Sequence, residues 1–295
     1  MIAIAVNCVS AVGTALHVPD ATAEISSDTR HSARSKMKLS IISPTYNESE
    51  NVSPLIAALE HALGGIDYEI IISDDDSPDL TWACVEEIGR QNGRVRTLRR
   101  TSNRGLGPSV VDGFSLARGE AVACIDADLQ HDPSILPRML EELERGADLV
   151  VGTRYMPGGG TTNWNAMRRF ISWTATRVTK LLLGVRLRDP MSGYFMLRRN
   201  DFLRLRDDVN ARGFKILLEI AAHMQPRVVA EVPYTFGPRM FGQSKLSTKI
   251  VFAFVQQLWS LSLHNSVRQH GGNLAHRKFT LPGILVALQK GLSKH

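Results

Sequence analysis

The chain is predicted to fold as an α/β protein, a mostly parallel central sheet with helices on both faces. Three observations predict it. Between residues 39 and 151, strand-length apolar runs alternate with helical patterns roughly 10–15 residues long, the signature of βαβ units. The polar motifs fall directly after the apolar runs, where the carboxyl ends of parallel strands present their ligand sites. A length of 295 residues at 43% hydrophobic content suits one large domain with appendages.

Residues 39–43 read as the first strand, ended by Pro44. Residues 50–63 carry helical spacing at Val52, Leu55, Ile56, Leu59 and Leu63, and stop at Gly64 and Gly65. Residues 68–73 form a second strand, closed by Asp74, Asp75 and Asp76. A helix follows over 80–90 with Asp79 as its N-cap. Residues 95–98 are a short strand, 108–117 a helix ended by Gly119, and 121–125 a fourth strand. Residues 133–144 form a helix with Pro133 in its first turn, and 149–151 a fifth strand.

Beyond residue 155 the pattern changes. Residues 156–165 contain a proline and three glycines and read as a mobile loop. Residues 167–183 are an amphipathic helix rich in Arg and Lys. Residues 189–195 turn into a strand, 213–224 form a helix carrying Lys215 and Glu219, and 227–234 form another strand. A basic loop over 236–245 leads into an amphipathic helix over 245–264. The expected organisation is an N-terminal extension (1–37), one catalytic-type domain (38–245), and an amphipathic helix with a tail (246–295). Residues 1–18 are apolar but lack a basic leader region, and Met37 is a candidate start.

Composition narrows the function. Residues 1–150 hold 13 basic and 23 acidic side chains, net −10, while residues 151–295 hold 22 and 6, net +16. This asymmetry points to a polyanionic partner: nucleic acid, a membrane surface or a phosphorylated substrate. Nucleic acid fits poorly, because the basic half lacks interleaved aromatics. Three dispersed cysteines, Cys8, Cys84 and Cys124, argue against a disulfide framework or a zinc site, with Cys84 and Cys124 reading as small core residues. No apolar run reaches the length of a membrane span.

The most informative motif is Asp126-Ala127-Asp128, which stops the fourth strand. Side chains two apart on extended chain point the same way, roughly 7 Å apart. Mg²⁺ or Mn²⁺ could bridge them to a diphosphate, with Gln130 nearby, since Mg²⁺ is usually held by one or two carboxylates plus substrate phosphates. Asp74–Asp76 need donors, which ribose or base groups could supply. Tyr46 could lie against a base and Glu48 accept from ribose. Arg154, Arg239 and Lys245 sit on loops and suit phosphate oxygens. His131 reads as a packing residue rather than a ligand.

These segments resemble the dolichyl-phosphate (polyprenyl-phosphate) mannose synthases, inverting glycosyltransferases of family 2 with the GT-A fold. The resemblance covers about residues 39–250. It is carried by residues 44–48, 74–79, Asp126 to Gln130, 152–155, 189–193, and the pattern from Arg239 to Lys245. It implies transfer of mannose from GDP-mannose to a polyprenyl phosphate. Pro44, Tyr46, Glu48, Ser73 and Asp75 would line the nucleoside pocket. Asp126, Ala127, Asp128 and Gln130 would hold the metal and diphosphate. Arg154, Arg239 and Lys245 would meet phosphates, with Asp128, Arg239 and Lys245 as the catalytic set. Asp76 stands where the family often has glycine. The alternatives are a polyprenyl-phosphate transferase using a UDP-sugar and a sugar-nucleotide-binding protein without turnover. Segments 158–160 and 236–245 are expected to close over the donor, and the 245–264 helix to lie at a membrane interface, peripheral on the cytoplasmic face.

Overall fold

The computed structural model describes residues 38–162, 174–177, 179, 187–210, 215–240 and 256–261. Among these the main sheet has seven strands: β1 (Leu39–Thr45), β2 (Tyr68–Asp74), β3 (Val95–Arg99), β4 (Ala121–Cys124), β5 (Leu149–Thr153), β7 (Phe195–Arg198) and β8 (Val229–Pro233). Their order is β3-β2-β1-β4-β7-β5-β8, parallel throughout except β7, which runs antiparallel to both β4 and β5. A second, two-stranded sheet pairs β6 (Gly160–Thr161) with β9 (Thr235–Phe236).

Alternation along each strand divides the core between two faces, because successive side chains point oppositely. Leu39, Ile41, Ile70, Ile72, Ala121, Ala123 and Val150 face one cluster. It receives α1 (Ser49–Ala62) through Val52, Leu55 and Leu59, α2 (Thr81–Gln91) through Val85, and α4 (Leu136–Glu144) through Leu136, Met139 and Leu140. Ile42, Ile71, Val122, Cys124 and Val151 face the other, with α3 (Leu106–Leu116), α5 (Arg199–Leu205) and α6 (Ile216–Met224). There Phe114 meets Phe195 and Phe202 edge-on, at centroid separations of 5.9 and 5.1 Å.

The chain lays down β1, β2 and β3 outward in one direction. Then α3 returns it to the far side of β1, where β4 is placed. The reversal between β1 and β4 is the topological switch point, and its carboxyl edge is the expected ligand crevice.

Several expectations shift. Helix α2 begins at Thr81, not at 80: Leu80 sits in the left-handed region at φ 62°. The N-cap position falls to Leu80, not Asp79, although Asp79 Oδ1, one residue earlier, accepts from the Thr81 N–H at 3.0 Å. Pro133–Ile135 form a separate 3₁₀ turn before α4. Pro44 lies inside β1 rather than ending it. The sequence pattern does not show α5, a short helix after β7. The segment expected to be a mobile loop at 156–165 is tied down over its described part, with Gly160 and Thr162 N–H groups donating to the carbonyls of Tyr234 and Phe236 at 3.1 and 3.0 Å.

Of the expected interfacial helix, residues 256–261 are described as helical. Leu258 and Leu261 pack on Leu218 and Ala222 of α6, while Trp259 is exposed. That stretch therefore rests its apolar side on the domain, not on an external surface. Among the described residues no helix is long and apolar enough to cross a membrane. Cys124 is buried and Cys84 partly buried, both free thiols.

Candidate active site at the sheet's switch point

The β1–β2 side of the crevice is internally balanced. Asp74 is fully buried and accepts from the Thr45 hydroxyl at 2.8 Å and from the Ser77 N–H and hydroxyl at 2.8 and 2.6 Å. Asp75 pairs with Arg100 and accepts from the Gly105 N–H at 2.6 Å. Burial raises its carboxyl above the usual range, against the pull of Gly105 and Arg100. Arg100 also donates to Asp112 at 2.8 Å and to the Asn103 carbonyl at 2.6 Å. Asp76 adopts φ 54°, a left-handed conformation that favours glycine, and pairs with Arg99 and Arg104. Arg99 lies 3.7 Å over the Trp82 ring.

Around this cluster, Tyr46 is exposed and Pro44 half-buried. Glu48 accepts from the Asn51 side chain at 2.6 Å. Ser73 is sealed in the interior, its hydroxyl donating to the Ser109 carbonyl at 2.9 Å. It braces the pocket wall against α3 instead of lining the pocket.

Across the switch point lie the two aspartates. After β4 the Asp126 N–H donates to His131 Nδ1 at 3.2 Å. Ala127 is buried. Leu129 takes φ 60°, turning the chain so that the Gln130 N–H reaches Asp128 Oδ1 at 3.2 Å. Gln130 Nε2 donates to the Gly237 carbonyl at 2.9 Å, and the Gly237 N–H returns a bond to the Gln130 carbonyl at 2.8 Å. This double tie brings Arg239 to the acids. Arg239 Nη2 is 2.7 Å from Asp128 Oδ2, and its Nη1 is 3.8 Å from Glu48 Oε1. One guanidinium thus spans the switch point.

Behind the acids is a buried layer. Arg154 forks onto Asp189, with Nε and Nη2 at 2.7 and 2.8 Å from the two carboxylate oxygens. The sequence placed Arg154 at a phosphate, whereas here it is held by Asp189, which is 0% exposed. The 189–193 turn sets Gly193 against Asp126: a Cβ there would lie 2.9 Å from Oδ2. His131 stacks on Tyr194 at 5.1 Å, with Tyr234 and Phe236 edge-on. Burial drives its pKa down to about 4, so the ring is neutral near pH 7. Packing, as expected, is its visible role.

The acid pair is less satisfied than the first cluster. Among the described residues the Asp126 carboxylate accepts no hydrogen bond, and His131 Nε2 stands 3.8 Å away. Burial raises its carboxyl, with Lys215, Arg239 and Arg154 opposing. Burial and then the neighbouring Asp126 charge raise Asp128. Lys215 is pushed down by burial, with Asp126 opposing. The structure thus brings Glu48, Asp126, Asp128, Gln130 and Arg239 together. Lys245 lies outside the described residues. Arg100 and Lys215 add positive charge beside the site without having been assigned a role from the sequence. Arg100's acidic partners, Asp75 and Asp112, lie 25 and 12 residues away, too far along the chain for local spacing to signal the pairing.

A mostly parallel sheet with this switch point, an acid-x-acid turn just beyond β4 and a spanning arginine define a GT-A-fold glycosyltransferase. The chain belongs to glycosyl transferase family 2, whose profile matches residues 40–206, and within it to the dolichol-phosphate mannosyltransferases. It is similar to the dolichol-phosphate mannosyltransferase of Pyrococcus furiosus (41% identity over 76% of this chain and 64% of that protein). The chain therefore spans under two thirds of that archaeal relative. The Saccharomyces cerevisiae dolichol-phosphate mannosyltransferase is 39% identical over 76% of this chain and 87% of its own. The polyprenol monophosphomannose synthase of Mycolicibacterium smegmatis is 39% identical over 70% and 80%. Among solved structures, glucosyl-3-phosphoglycerate synthase from Mycobacterium tuberculosis, in complex with Mn²⁺, UDP-glucose and glycerol 3-phosphate, aligns with TM-score 0.55. It covers 78% of this chain and 80% of its own at 16% identity, a likeness of fold.

Proposed function

We propose that the protein transfers a mannosyl group from GDP-mannose to a polyprenyl phosphate, with inversion and with the aid of a divalent cation. The observation that carries this reading is the under-satisfied acid pair at the switch point, facing a cationic loop. The relatives named for dolichol- and polyprenol-phosphate mannosyl transfer support the sugar and acceptor.

The donor set fits a hard cation. Among the described residues no three His, Cys, Asp or Glu side chains gather as a complete protein cage. Two carboxylates completed by a diphosphate are what Mg²⁺ or Mn²⁺ ordinarily accepts. Asp126 and Asp128 would hold it, with Gln130 beside them; bound there, it would neutralise charge on the departing nucleotide. The structural neighbour crystallised with Mn²⁺ and UDP-glucose supports a divalent metal.

The chain's own residues do the rest. Pro44, Tyr46 and Asp75 border the nucleoside, with Ser73 behind. Glu48 and Asp128 hold Arg239 across the crevice, from which it can turn to a phosphate oxygen. A lipid phosphate is already anionic near neutral pH, so the reaction needs no strong general base. Its difficulty is bringing one anion to another, and preorganised positive charge is what lowers that barrier most. Arg154, fixed by Asp189, supplies positive field from below, and Lys245 is assigned to the acceptor phosphate. Residues 38–245 form the catalytic unit, and the basic half docks peripherally on the cytoplasmic face of a membrane.

The test is a panel of labelled nucleotide sugars, incubated with the protein, polyprenyl phosphate and Mg²⁺ or Mn²⁺ and followed by lipid extraction. Label should enter lipid from GDP-mannose. Label from a UDP-sugar instead would overturn the donor, and none from any would overturn the reaction. Flotation with anionic liposomes tests docking, and absence from the floating fraction refutes it.

A further inference from the structure

The unassigned group with the most direct path to the acids is Lys215. It occupies the cap position before α6, and its ammonium donates to the Met191 carbonyl at 3.2 Å. Met191 is the middle of the 189–193 turn, and that turn sets the wall against Asp126. A Cβ at Gly193 would lie 2.9 and 3.0 Å from the two Asp126 carboxylate oxygens, so the bare backbone there is in contact range of the carboxylate. Among the described residues no hydrogen bond fixes that carboxylate's rotation. Its orientation depends on this wall.

Lys215 is itself held from the C-terminal side. Gln257 Oε1 accepts from the Lys215 N–H at 3.1 Å, and Gln257 Nε2 donates to the Lys215 carbonyl at 3.0 Å and to Glu219 Oε1 at 2.9 Å. Gln257 is 5% exposed and uses both ends of its amide. Met191 packs on the same cluster, formed by Leu218, Ala222, Leu258 and Leu261. An apolar pair at 215 and 257 would pack these helices without desolvating an ammonium and an amide. The polar choice makes a continuous path from residues 256–261 through Lys215 and Met191 to Asp126.

We propose that Lys215, held by Gln257, is a positioning residue that fixes the Asp189–Gly193 turn and thereby the orientation of the Asp126 carboxylate. The inference rests on the metal-assisted transfer proposed above. It does not place Lys215 on the substrate.

The test uses the full chain with Lys215→Met, Lys215→Arg and Gln257→Ala, each checked by circular dichroism. Two quantities are read: kcat and donor KM separately with GDP-mannose, and Mn²⁺ binding to the enzyme–GDP complex by electron paramagnetic resonance. Lys215→Met should lower kcat and weaken Mn²⁺ each about tenfold, as outer-shell supports do, with donor KM within about twofold. Lys215→Arg, which can donate to the same carbonyl, should recover most of both, and Gln257→Ala should fall between. Unchanged kcat in Lys215→Met, or equal losses in the Met and Arg variants, overturns the proposal. So does tighter Mn²⁺ binding in Lys215→Met, the result expected if the ammonium merely repels a cation. Should Lys215→Met fail to fold, Gln257→Ala carries the comparison, and wild-type values in it refute the relay. Equal Mn²⁺ binding by wild type and Asp128→Ala would mark failure of the metal reading itself, and this inference would fall with it.

Discussion

The two halves of the carboxyl edge carry similar acids and treat them differently. On the β1–β2 side each of Asp74, Asp75 and Asp76 is met by donors from the chain: hydroxyls and an N–H for the first, Arg100 and Gly105 for the second, Arg99 and Arg104 for the third. On the β4 side Asp126 accepts no hydrogen bond among the described residues, and Asp128 relies on one N–H and Arg239. The arginine that could have reached them, Arg154, is held by Asp189. Satisfied acids shape a wall, while acids left short of donors are placed for a ligand. Asp74 and Asp75 are buried and need donors from the chain, whereas the Asp126 side chain, 36% exposed, keeps its oxygens accessible at the crevice.

The largest expected effect tests the second half. Asp128→Ala should lower transfer by about a thousandfold or more, the scale of losing a central electrostatic group. Its melting temperature should hold or rise, because the variant relieves like-charge crowding with Asp126. Activity near wild type would erase the contrast. The next effect tests the first half through stability rather than turnover. Arg100 is 4% exposed and Asp75 7%. Arg100→Met leaves a buried carboxylate without its cation, which costs about 3–5 kcal/mol. Urea unfolding should show it, and an unaltered midpoint would mean that the first cluster is not the structural wall described.

His131 gives a third, smaller effect, read as pH dependence. Its folded pKa is about 4 against an ordinary 6.5. Between those values the unfolded chain binds the proton and the folded chain does not, so stability falls as pH drops from 6.5 to 4. At about 1.36 kcal/mol per unit this amounts to about 3 kcal/mol. His131→Gln, whose side-chain oxygen can accept from the Asp126 N–H, should lose that share of the slope. Parallel wild-type and variant curves of stability against pH would show that His131 is not held neutral by its aromatic cage.

Much of this was legible in the sequence. Strand and helix alternation over 39–151 gives the parallel half, because each apolar run there is local. The positions of Asp126 and Asp128 follow from where β4 runs out. The antiparallel insertion of β7 between β4 and β5 was not legible, since a four-residue strand carries no sign of its partner. The Arg154–Asp189 fork spans 35 residues and the Arg239–Asp128 contact 111, and only the fold brings them together. Asp76 shows the reverse case: its departure from glycine was visible in sequence, and its φ of 54° gives the physical meaning.

The smallest effect isolates geometry from charge. Gly193 does not sit at positive φ, so alanine there brings no backbone strain, only a new methyl group. That methyl would lie 2.9 Å from Asp126 Oδ2, closer than real Cβ contacts, so something must yield. The 189–193 turn cannot retreat easily: Arg154 forks onto one end, and the Ser192 hydroxyl donates to the Gly152 carbonyl at 2.8 Å near the other. The carboxylate, which accepts no hydrogen bond among the described residues, is the part free to rotate. Gly193→Ala should therefore lower kcat about tenfold through misplacement of a reacting-site group, with no charge altered. Thermal unfolding should move little. A large fall in melting temperature with activity per folded molecule intact would show that the wall, not the acid, gave way, and that Asp126 is held more firmly than its missing donors imply.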